Sequence, residues 1–278
     1  MAAPTSAMTV DPSPNSQDLQ ERIDAFARWH YRFEFDDGVT TPVPDWSRVN
    51  RHEQRRRYFF DALIAVMGGS LRGRRVLDLG CNSGFWSLLA VQAGADFVLG
   101  IDSRQSYINQ AKLVFEAKGI DPASHRFEQA DALECELDED FDVVLCLGLM
   151  EHVARPFELF ERIASVGAGV VVIDTALSRA SSSCFEVSTL AEPRDGVDGK
   201  LVLVPTRQAV IELAARFGLQ AVPLARNMSD WSGMEDYRSL RRLAFICSRE
   251  APPPTLPVER ASPIAARWAT MVDYVRHR

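Results

Sequence analysis

Two acidic residues flank a glycine turn in the first half of the chain. The segment Val76–Gly84 (VLDLGCNSG) predicts a buried strand, a tight turn at Gly80 and a helix that starts near Gly84. Asp78 lies inside the strand end, and Asp102 follows a second apolar strand. Glycines let a ligand approach the backbone, and a carboxylate at the end of the next strand accepts hydrogen bonds from ribose hydroxyls. The pattern therefore predicts a site for a nucleoside-bearing cofactor.

The spacing of the glycines indicates which cofactor. A dinucleotide fingerprint has three glycines, G-x-G-x-x-G, with the pyrophosphate at the helix N-terminus. This chain has only Gly80 and Gly84, with Asp78 in front of them. An acid there repels a pyrophosphate but suits the ammonium group of S-adenosylmethionine, which carries no phosphate. We therefore predict S-adenosylmethionine, with S-adenosylhomocysteine as product, and disfavour an NAD-dependent oxidoreductase.

Further segments complete the predicted cofactor site. Asp131 and Ala132 follow the third strand, where an acid can accept a hydrogen bond from the adenine amine and a small residue leaves room for the ring. Leu147 ends the fourth strand, which should lie beneath the cofactor. The predicted cofactor-binding residues are Asp78, Gly80, Cys81, Asn82, Gly84, Trp86, Asp102, Ser103, Asp131, Ala132 and Leu147.

The segment after the fourth strand should face the methyl acceptor. His152 is the candidate general base, and a helix-start histidine with a structural hydrogen bond is the alternative. Glu151 is a candidate to orient it. The predicted substrate-binding residues are Trp29, His30, Tyr31, Glu151, Tyr237 and Arg238. We predict no metal, because the spacing of His30, His152 and Glu186 does not require one.

Arginines crowd one predicted helix before the glycine turn. They are Arg48, Arg51, Arg55, Arg56 and Arg57. They indicate either a solvated helix face or a patch that binds a phosphate or carboxylate of the substrate.

Strands alternate with helices after residue 74, which predicts an α/β fold with a parallel sheet covered on both faces. We expect strands near 75–79, 97–101, 125–129, 141–147, 169–174, 219–225 and 242–248, and helices near 19–29, 51–67, 84–93, 104–118, 156–165, 206–217 and 264–275. The predicted divisions are a disordered tail (1–18), a helical cap (19–72), the cofactor domain (73–250), and a Pro-rich linker with a C-terminal helix (251–278). The long connection 178–200 is expected to be a loop.

The residues that form this pattern resemble class I S-adenosylmethionine-dependent methyltransferases. The resemblance covers about residues 73–250 and implies a Rossmann-like, doubly wound sheet of seven strands, the last one antiparallel. The segment 29–42 (WHYRFEFDDGVTTP) is similar to the family of tRNA wobble-uridine carboxymethyltransferase-like enzymes. Many members of that group resemble small-molecule methyltransferases of sugar or secondary-metabolite pathways.

Composition narrows the function further. The chain has 278 residues, a net charge of −7 and 46% hydrophobic residues, which is typical of a globular protein without a polyanion as its main partner. Five scattered cysteines and the absence of a signal-like N-terminus favour a cytoplasmic location, and no apolar run is long enough for a membrane helix. We predict O-methylation of a small molecule, with a homodimer as the candidate assembly. The alternatives are a tRNA-modifying enzyme and a non-catalytic cofactor-binding module.

Overall fold

A computed structural model describes residues 14–189, 201–251 and 256–259. The strands are β1 (Arg75–Leu79), β2 (Phe97–Asp102), β3 (His125–Gln129), β4 (Val143–Leu147), β5 (Val170–Ala176), β6 (Phe185–Thr189), β7 (Leu201–Pro205), β8 (Gln220–Pro223) and β9 (Arg242–Ser248). The helices are α1 (Pro14–Asp24), α2 (Trp46–Arg55), α3 (Asp61–Val66), α4 (Phe85–Gln92), α5 (Gln105–Ala117), α6 (Pro156–Ser165), α7 (Arg207–Arg216) and α8 (Glu235–Arg238). A π-helical turn, Arg56–Phe60, joins α2 to α3, and short 3₁₀ turns occupy Asp36–Gly38, Pro122–Ser124 and Met150–His152.

Seven strands form one sheet in the order β3-β2-β1-β4-β5-β9-β8. Strands β1 to β5 are mutually parallel, and β9 runs antiparallel to both of its neighbours, β5 and β8. This confirms the predicted α/β fold and its reversed last strand. The order in which strands are added to the sheet reverses between β1 and β4, because β2 and β3 lie on one side of this pair and β5 lies on the other. Ligands bind at such a switch point, beyond the carboxyl ends of the strands.

Alternate residues of the central strands enter two different hydrophobic cores. Val76 packs on the face covered by α4, α5 and the N-terminal helices, whereas Leu77 packs on the face covered by α6 and α7. Both side chains are fully buried. A parallel sheet buried on both faces is continuously apolar, which explains runs such as Val143–Leu147.

The N-terminal cap departs from the prediction at its first helix. Helix α1 begins at Pro14 rather than after residue 18, and ends at Asp24 rather than Trp29. Trp29 folds back and donates its indole N–H to the Ile23 carbonyl oxygen at 3.1 Å. The same carbonyl oxygen accepts the Phe26 N–H at 3.2 Å, so two donors hold the chain in a turn there instead of a continuing helix. The predicted disordered tail is thus corrected from Pro14 onward, and residues 1–13 lie outside the described part.

The predicted loop 178–200 is wrong over Phe185–Thr189. This segment forms β6 and pairs antiparallel with β7 as a separate two-stranded sheet. Alternation of larger apolar and polar residues in FEVST is the signal that indicates a strand. Residues 190–200 and the predicted helix 264–275 lie outside the described residues. None of the helices in the described ranges has both the length and the apolarity to cross a bilayer.

Candidate cofactor and acceptor site

The glycine turn after β1 is fixed by backbone hydrogen bonds to β2. The N–H groups of Gly80 and Cys81 both donate to the Ile101 carbonyl oxygen, at 2.8 and 2.9 Å. Gly80 and Asn82 have φ angles of 73° and 52°. Asn82 tolerates this left-handed conformation because its side-chain oxygen accepts the Ser83 N–H at 2.8 Å. The turn therefore brings residues 80–82 to the carboxyl end of the sheet in a defined shape.

Asp102 stands opposite this turn, at the end of β2. Its carboxylate accepts the Asn82 backbone N–H at 3.0 Å, so the two predicted halves of the cofactor site are in direct contact. It also accepts three hydrogen bonds from Arg104, from the backbone N–H, Nε and Nη2, at 2.9 to 3.1 Å. The Arg104 guanidinium lies over the Tyr107 ring, 4.0 Å from its centroid. The four donors occupy the lone pairs of the carboxylate, so a ribose hydroxyl would take the place of one Arg104 donor.

Asp78 lies behind the wall of the site and is only 1% exposed. Ser87 Oγ donates to its carboxylate at 2.6 Å. Burial and the nearby Asp102 carboxylate raise the pKa of Asp78 to about 7, and Ser87 opposes the shift. Among the described residues no cation lies within ion-pair distance of it. A buried acid of this kind suits a cationic ligand group. The predicted direct contact of Asp78 with the cofactor is corrected, since the side chain lies beneath the turn and not in the cavity wall.

Three other predicted cofactor residues have packing positions. A Cβ on Gly84 would lie 3.1 to 3.3 Å from Ala111, Phe127 and Phe115, at a φ of 77°. Gly84 therefore allows α4 to pack closely on its neighbours, which corrects its predicted role in ligand approach. Cys81 and Trp86 are buried in the core, and the Trp86 indole N–H donates to the Tyr31 hydroxyl at 3.0 Å.

A cavity of about 920 Å³ opens at the carboxyl ends of the central strands. It is large enough for a nucleoside-bearing cofactor together with a small acceptor. Of the predicted residues, those in its wall are His30, Tyr31, Gly80, Asn82, Asp102, Ser103, Asp131, Ala132, Leu147 and His152. The structure thus brings together residues from four strand ends and from the cap.

The part of the wall that is predicted to hold the adenine comes from the loop after β3. The Asp131 carboxylate accepts the Leu133 N–H at 2.7 Å, and Ala132 follows it in the wall. The Ser103 carbonyl oxygen accepts the Gln129 side-chain amide at 3.1 Å, which ties the β2 and β3 ends together. Leu147, 8% exposed, forms the wall beneath them at the end of β4.

The part of the wall that is predicted to face the acceptor is formed by the turn after β4. His152 ends the 3₁₀ turn Met150–His152 and lies in the cavity wall, and its N–H donates to the Leu149 carbonyl oxygen at 2.8 Å. Glu151 points away from the cavity and pairs with Arg242 and with Thr175 Oγ1. Burial alone would raise the pKa of Glu151, but Arg242 and His152 outweigh it and lower the pKa to about 2. The predicted substrate contact of Glu151 is corrected, since its carboxylate is a buried ion-pair partner.

Three further predicted substrate residues do not line the cavity. Trp29 is buried in the cap, and Tyr237 is buried with its hydroxyl donating to Asp174 at 2.6 Å. Arg238 is exposed at the end of α8. His30 and Tyr31 do lie in the wall, and the Tyr31 ring stacks on Phe85 with centroids 4.7 Å apart.

A buried ionic network lies beside the cavity, at the ends of β5 and β9. The sequence did not indicate it. Arg55 and Arg242 both pair with the buried Asp174, at 2.8 and 3.1 Å. Arg242 also reaches Asp236, which Arg51 holds through two parallel bonds at 2.7 and 2.8 Å. Three arginines and three acids (Arg51, Arg55, Arg242, Asp174, Asp236 and Glu151) therefore neutralise one another. These pairs join the cap to the sheet.

Helix α2 presents one face to the cavity, and sequence reasoning recognised only its arginines. Arg48, Arg51 and Arg55 line the cavity, whereas Arg56 and Arg57 pair with Glu53 outside it. His52 lies on the same face and is 4% exposed, with its ring 4.3 Å from that of Tyr31. The signal that could have identified His52 was its spacing along the helix, three residues from Arg55 and four from Arg48.

Comparison with known proteins supports the reading of the turn. Residues 76–168 match a protein family described as a methyltransferase domain. The ubiquinone biosynthesis O-methyltransferase of Bordetella avium is 39% identical over 93 residues, which are 34% of this chain and 38% of that protein. The chain spans about two fifths of the length of the curated relatives it matches in this way.

Solved structures share the fold over most of the chain. The N-terminal domain of EvdMO1, crystallised in the presence of SAH and D-fucose, has a TM-score of 0.63 at 19% identity and covers 84% of this chain and 97% of that one. Magnesium protoporphyrin IX methyltransferase (ChlM) from Synechocystis PCC 6803, with bound SAM, has a TM-score of 0.54 at 15% identity, with coverages of 85% and 92%. The chain therefore matches a methyltransferase domain over residues 76–168 and shares its fold with these two structures over most of its length.

Proposed function

We propose that the protein transfers a methyl group from S-adenosylmethionine to an oxygen atom of a small molecule. The observation that carries this proposal is the contact between the Asn82 N–H and the Asp102 carboxylate in the wall of the 920 Å³ cavity. This contact joins the glycine turn to Asp102, the carboxylate proposed to bind the ribose hydroxyls. Asp78, buried beneath the turn, is proposed to attract the ammonium group. The relatives named as O-methyltransferases favour oxygen as the acceptor atom.

The residues divide into a donor side and an acceptor side. We propose that Asp102 and Ser103 hold the ribose, Asp131 and Ala132 hold the adenine, and Gly80, Asn82 and Leu147 contact the amino-acid part and sulfur. When bound, S-adenosylmethionine supplies an electrophilic methyl group on a sulfonium. Alignment of the acceptor oxygen with that methyl group supplies much of the rate. We propose that His152, in the cavity wall, takes the proton of the acceptor hydroxyl.

Secondary-metabolite or sugar chemistry is our proposal for the acceptor's origin, and a cytoplasmic location remains a prediction. The EvdMO1 domain crystallised with D-fucose agrees with a hydroxylated small molecule, although that similarity itself concerns the fold.

The tRNA alternative is supported less well. It rests on the segment 29–42, where Trp29, Tyr31 and Phe33 are at most 4% exposed. Thr41 Oγ1 donates to the Tyr31 carbonyl oxygen and accepts the Phe33 N–H, both at 2.8 Å. These contacts explain the segment as packing of the cap. The open cavity likewise argues against a binding module with a filled pocket.

Methyl labelling tests the proposal. The protein is incubated with S-adenosylmethionine carrying a deuterated methyl group, together with a small-molecule extract or with bulk tRNA. We expect a mass increase in compounds of the small-molecule fraction, at an oxygen. Label in tRNA alone, or transfer equal to that of a protein-free control, would contradict the proposal.

A further inference from the structure

The cavity wall is rich in arginine although the chain is acidic overall. Among the described residues, the wall contains eight arginines against four carboxylates, while the whole chain has a net charge of −7. A cleft lined mainly by one sign of charge raises the local concentration of ligands of the opposite sign. The excess positive charge is unexpected for a cofactor that is itself cationic at sulfur and nitrogen.

Most of these arginines already have carboxylate partners. Arg51, Arg55 and Arg242 belong to the balanced network with Asp174, Asp236 and Glu151. Arg104 binds Asp102, and Arg155 pairs with Glu134 and Glu158 at 3.4 and 2.8 Å. Five of the eight arginines in the wall are therefore balanced by a carboxylate, and the excess positive charge comes from the others.

Arg48 and Arg241 contribute to this excess on the acceptor side. In the described part of the chain, the carboxylate paired with Arg48 is that of the exposed Asp45, with Nε and Oδ2 4.0 Å apart, at the limit of an ion pair. Within the described ranges, Arg241 Nε donates to the Ser239 hydroxyl at 3.3 Å, and no carboxylate lies within ion-pair distance of it. Glu235, also in the wall, accepts the Gly233 N–H at 3.2 Å.

The two arginines flank the same ion pair. Arg48 lies one helical turn before Arg51 on α2, and Arg51 binds Asp236. The Arg241 N–H donates to the Asp236 carbonyl oxygen at 2.8 Å. Both side chains thus belong to the wall near β5 and β9, whereas Asp102 and Asp131 belong to the wall at β2 and β3. The sheet order separates an arginine-rich end of the cavity from the predicted cofactor end.

We propose that the methyl acceptor carries a carboxylate or phosphate group, which Arg48 and Arg241 bind at this end of the cavity. The proposal rests on the proposed function, since it names the class of acceptor. A guanidinium can bind either oxyanion through two parallel hydrogen bonds, and the backbone of Arg241 is held at this end by its N–H bond to the Asp236 carbonyl oxygen. The anionic group then orients the acceptor so that its hydroxyl faces His152.

Calorimetry with small aromatic probes tests the assignment. Benzoate, phenyl phosphate and the neutral benzamide are titrated into the full-length protein, with and without saturating S-adenosylhomocysteine. We expect benzoate or phenyl phosphate to bind at least tenfold more tightly than benzamide, and the stronger of the two identifies the anion. The double variant Arg48→Gln/Arg241→Gln should lose at least tenfold of that affinity, and Arg57→Gln, on the outer face, should lose none.

The outcomes separate the two proposals. Equal affinity for benzoate, phenyl phosphate and benzamide, no detectable binding of any probe, or undiminished affinity in the double variant overturns the anion site, even if S-adenosylhomocysteine binds. Failure to bind S-adenosylhomocysteine overturns the proposed function instead, and the titrations without it still decide whether the anion site exists. Because both arginines are partly exposed, unchanged S-adenosylhomocysteine affinity in the double variant serves as its folding control.

Discussion

Asp78→Asn should make the protein more stable at alkaline pH and weaken its binding of the cofactor. The wild-type carboxyl is buried with one hydroxyl donor, and its pKa is raised from 3.8 to about 7 by burial. Below pH 3.8 it is protonated in both the folded and the unfolded state. As the pH rises toward 7 the unfolded chain loses this proton first, so the folded state becomes progressively less stable.

The size of the effect follows from the shift. Full ionisation of Asp78 costs the folded state about 4 kcal/mol, of which about 2.5 kcal/mol appears between pH 5 and pH 8. An asparagine does not titrate and can still accept the Ser87 hydrogen bond. The free energy of unfolding of Asp78→Asn, relative to that of the wild type, should therefore increase by about 2.5 kcal/mol over this interval.

Urea unfolding followed by circular dichroism at pH 5, 6, 7 and 8 measures this difference. Asp61→Asn, which removes an exposed aspartate, is the matched control. The same Asp78 variant should bind S-adenosylhomocysteine about tenfold more weakly or worse, because in the proposed site the ammonium group loses the charge of the Asp78 carboxylate beneath the turn. Parallel pH profiles for Asp78→Asn and the wild type would refute the burial argument, and unchanged affinity would refute the link to the cofactor.

Three further substitutions probe the rest of the site. Asp102→Asn should weaken S-adenosylhomocysteine binding by about 10- to 100-fold in calorimetry, because charge-assisted bonds to the ribose are lost; full affinity would exclude the ribose role. His152→Ala should lower kcat about 100-fold or more without changing S-adenosylhomocysteine affinity, whereas His125→Ala, outside the cavity wall, should change neither; an unchanged kcat would remove His152 as the base. Arg242→Leu leaves Asp174 and Glu151 short of a buried partner and should lower the free energy of unfolding in urea by about 3–5 kcal/mol; a loss below about 1 kcal/mol would show that the network does not depend on it.

The elements that form the sheet were predictable because each has a strong local signal. Strand β3 and helix α6 begin and end at the predicted residues, and β1 does so as well. The contact between Asn82 and Asp102 also follows from local signals, since parallel strands align their carboxyl ends. Helix α1 was misjudged because its end depends on the Trp29 side chain folding back to Ile23, which no periodicity reveals.

The ionic network was beyond sequence reasoning for a different reason. Arg55, Asp174 and Arg242 meet although they are far apart in the chain, and each looks like an ordinary surface residue in its own segment. Likewise, Glu151 and His152 are adjacent in sequence, yet the 3₁₀ turn sends one into the network and leaves the other in the cavity wall. Adjacent residues can therefore differ in burial and in role, and the burial of each one depends on the whole fold.

Titration calorimetry with S-adenosylhomocysteine and, in parallel, NAD tests the central claim most directly. We predict saturable heat with S-adenosylhomocysteine at one site per chain, strongly reduced in Asp102→Asn, and no heat with NAD. Absence of heat with S-adenosylhomocysteine, or binding of NAD in its place, would contradict the assignment of the glycine turn to the methyl donor.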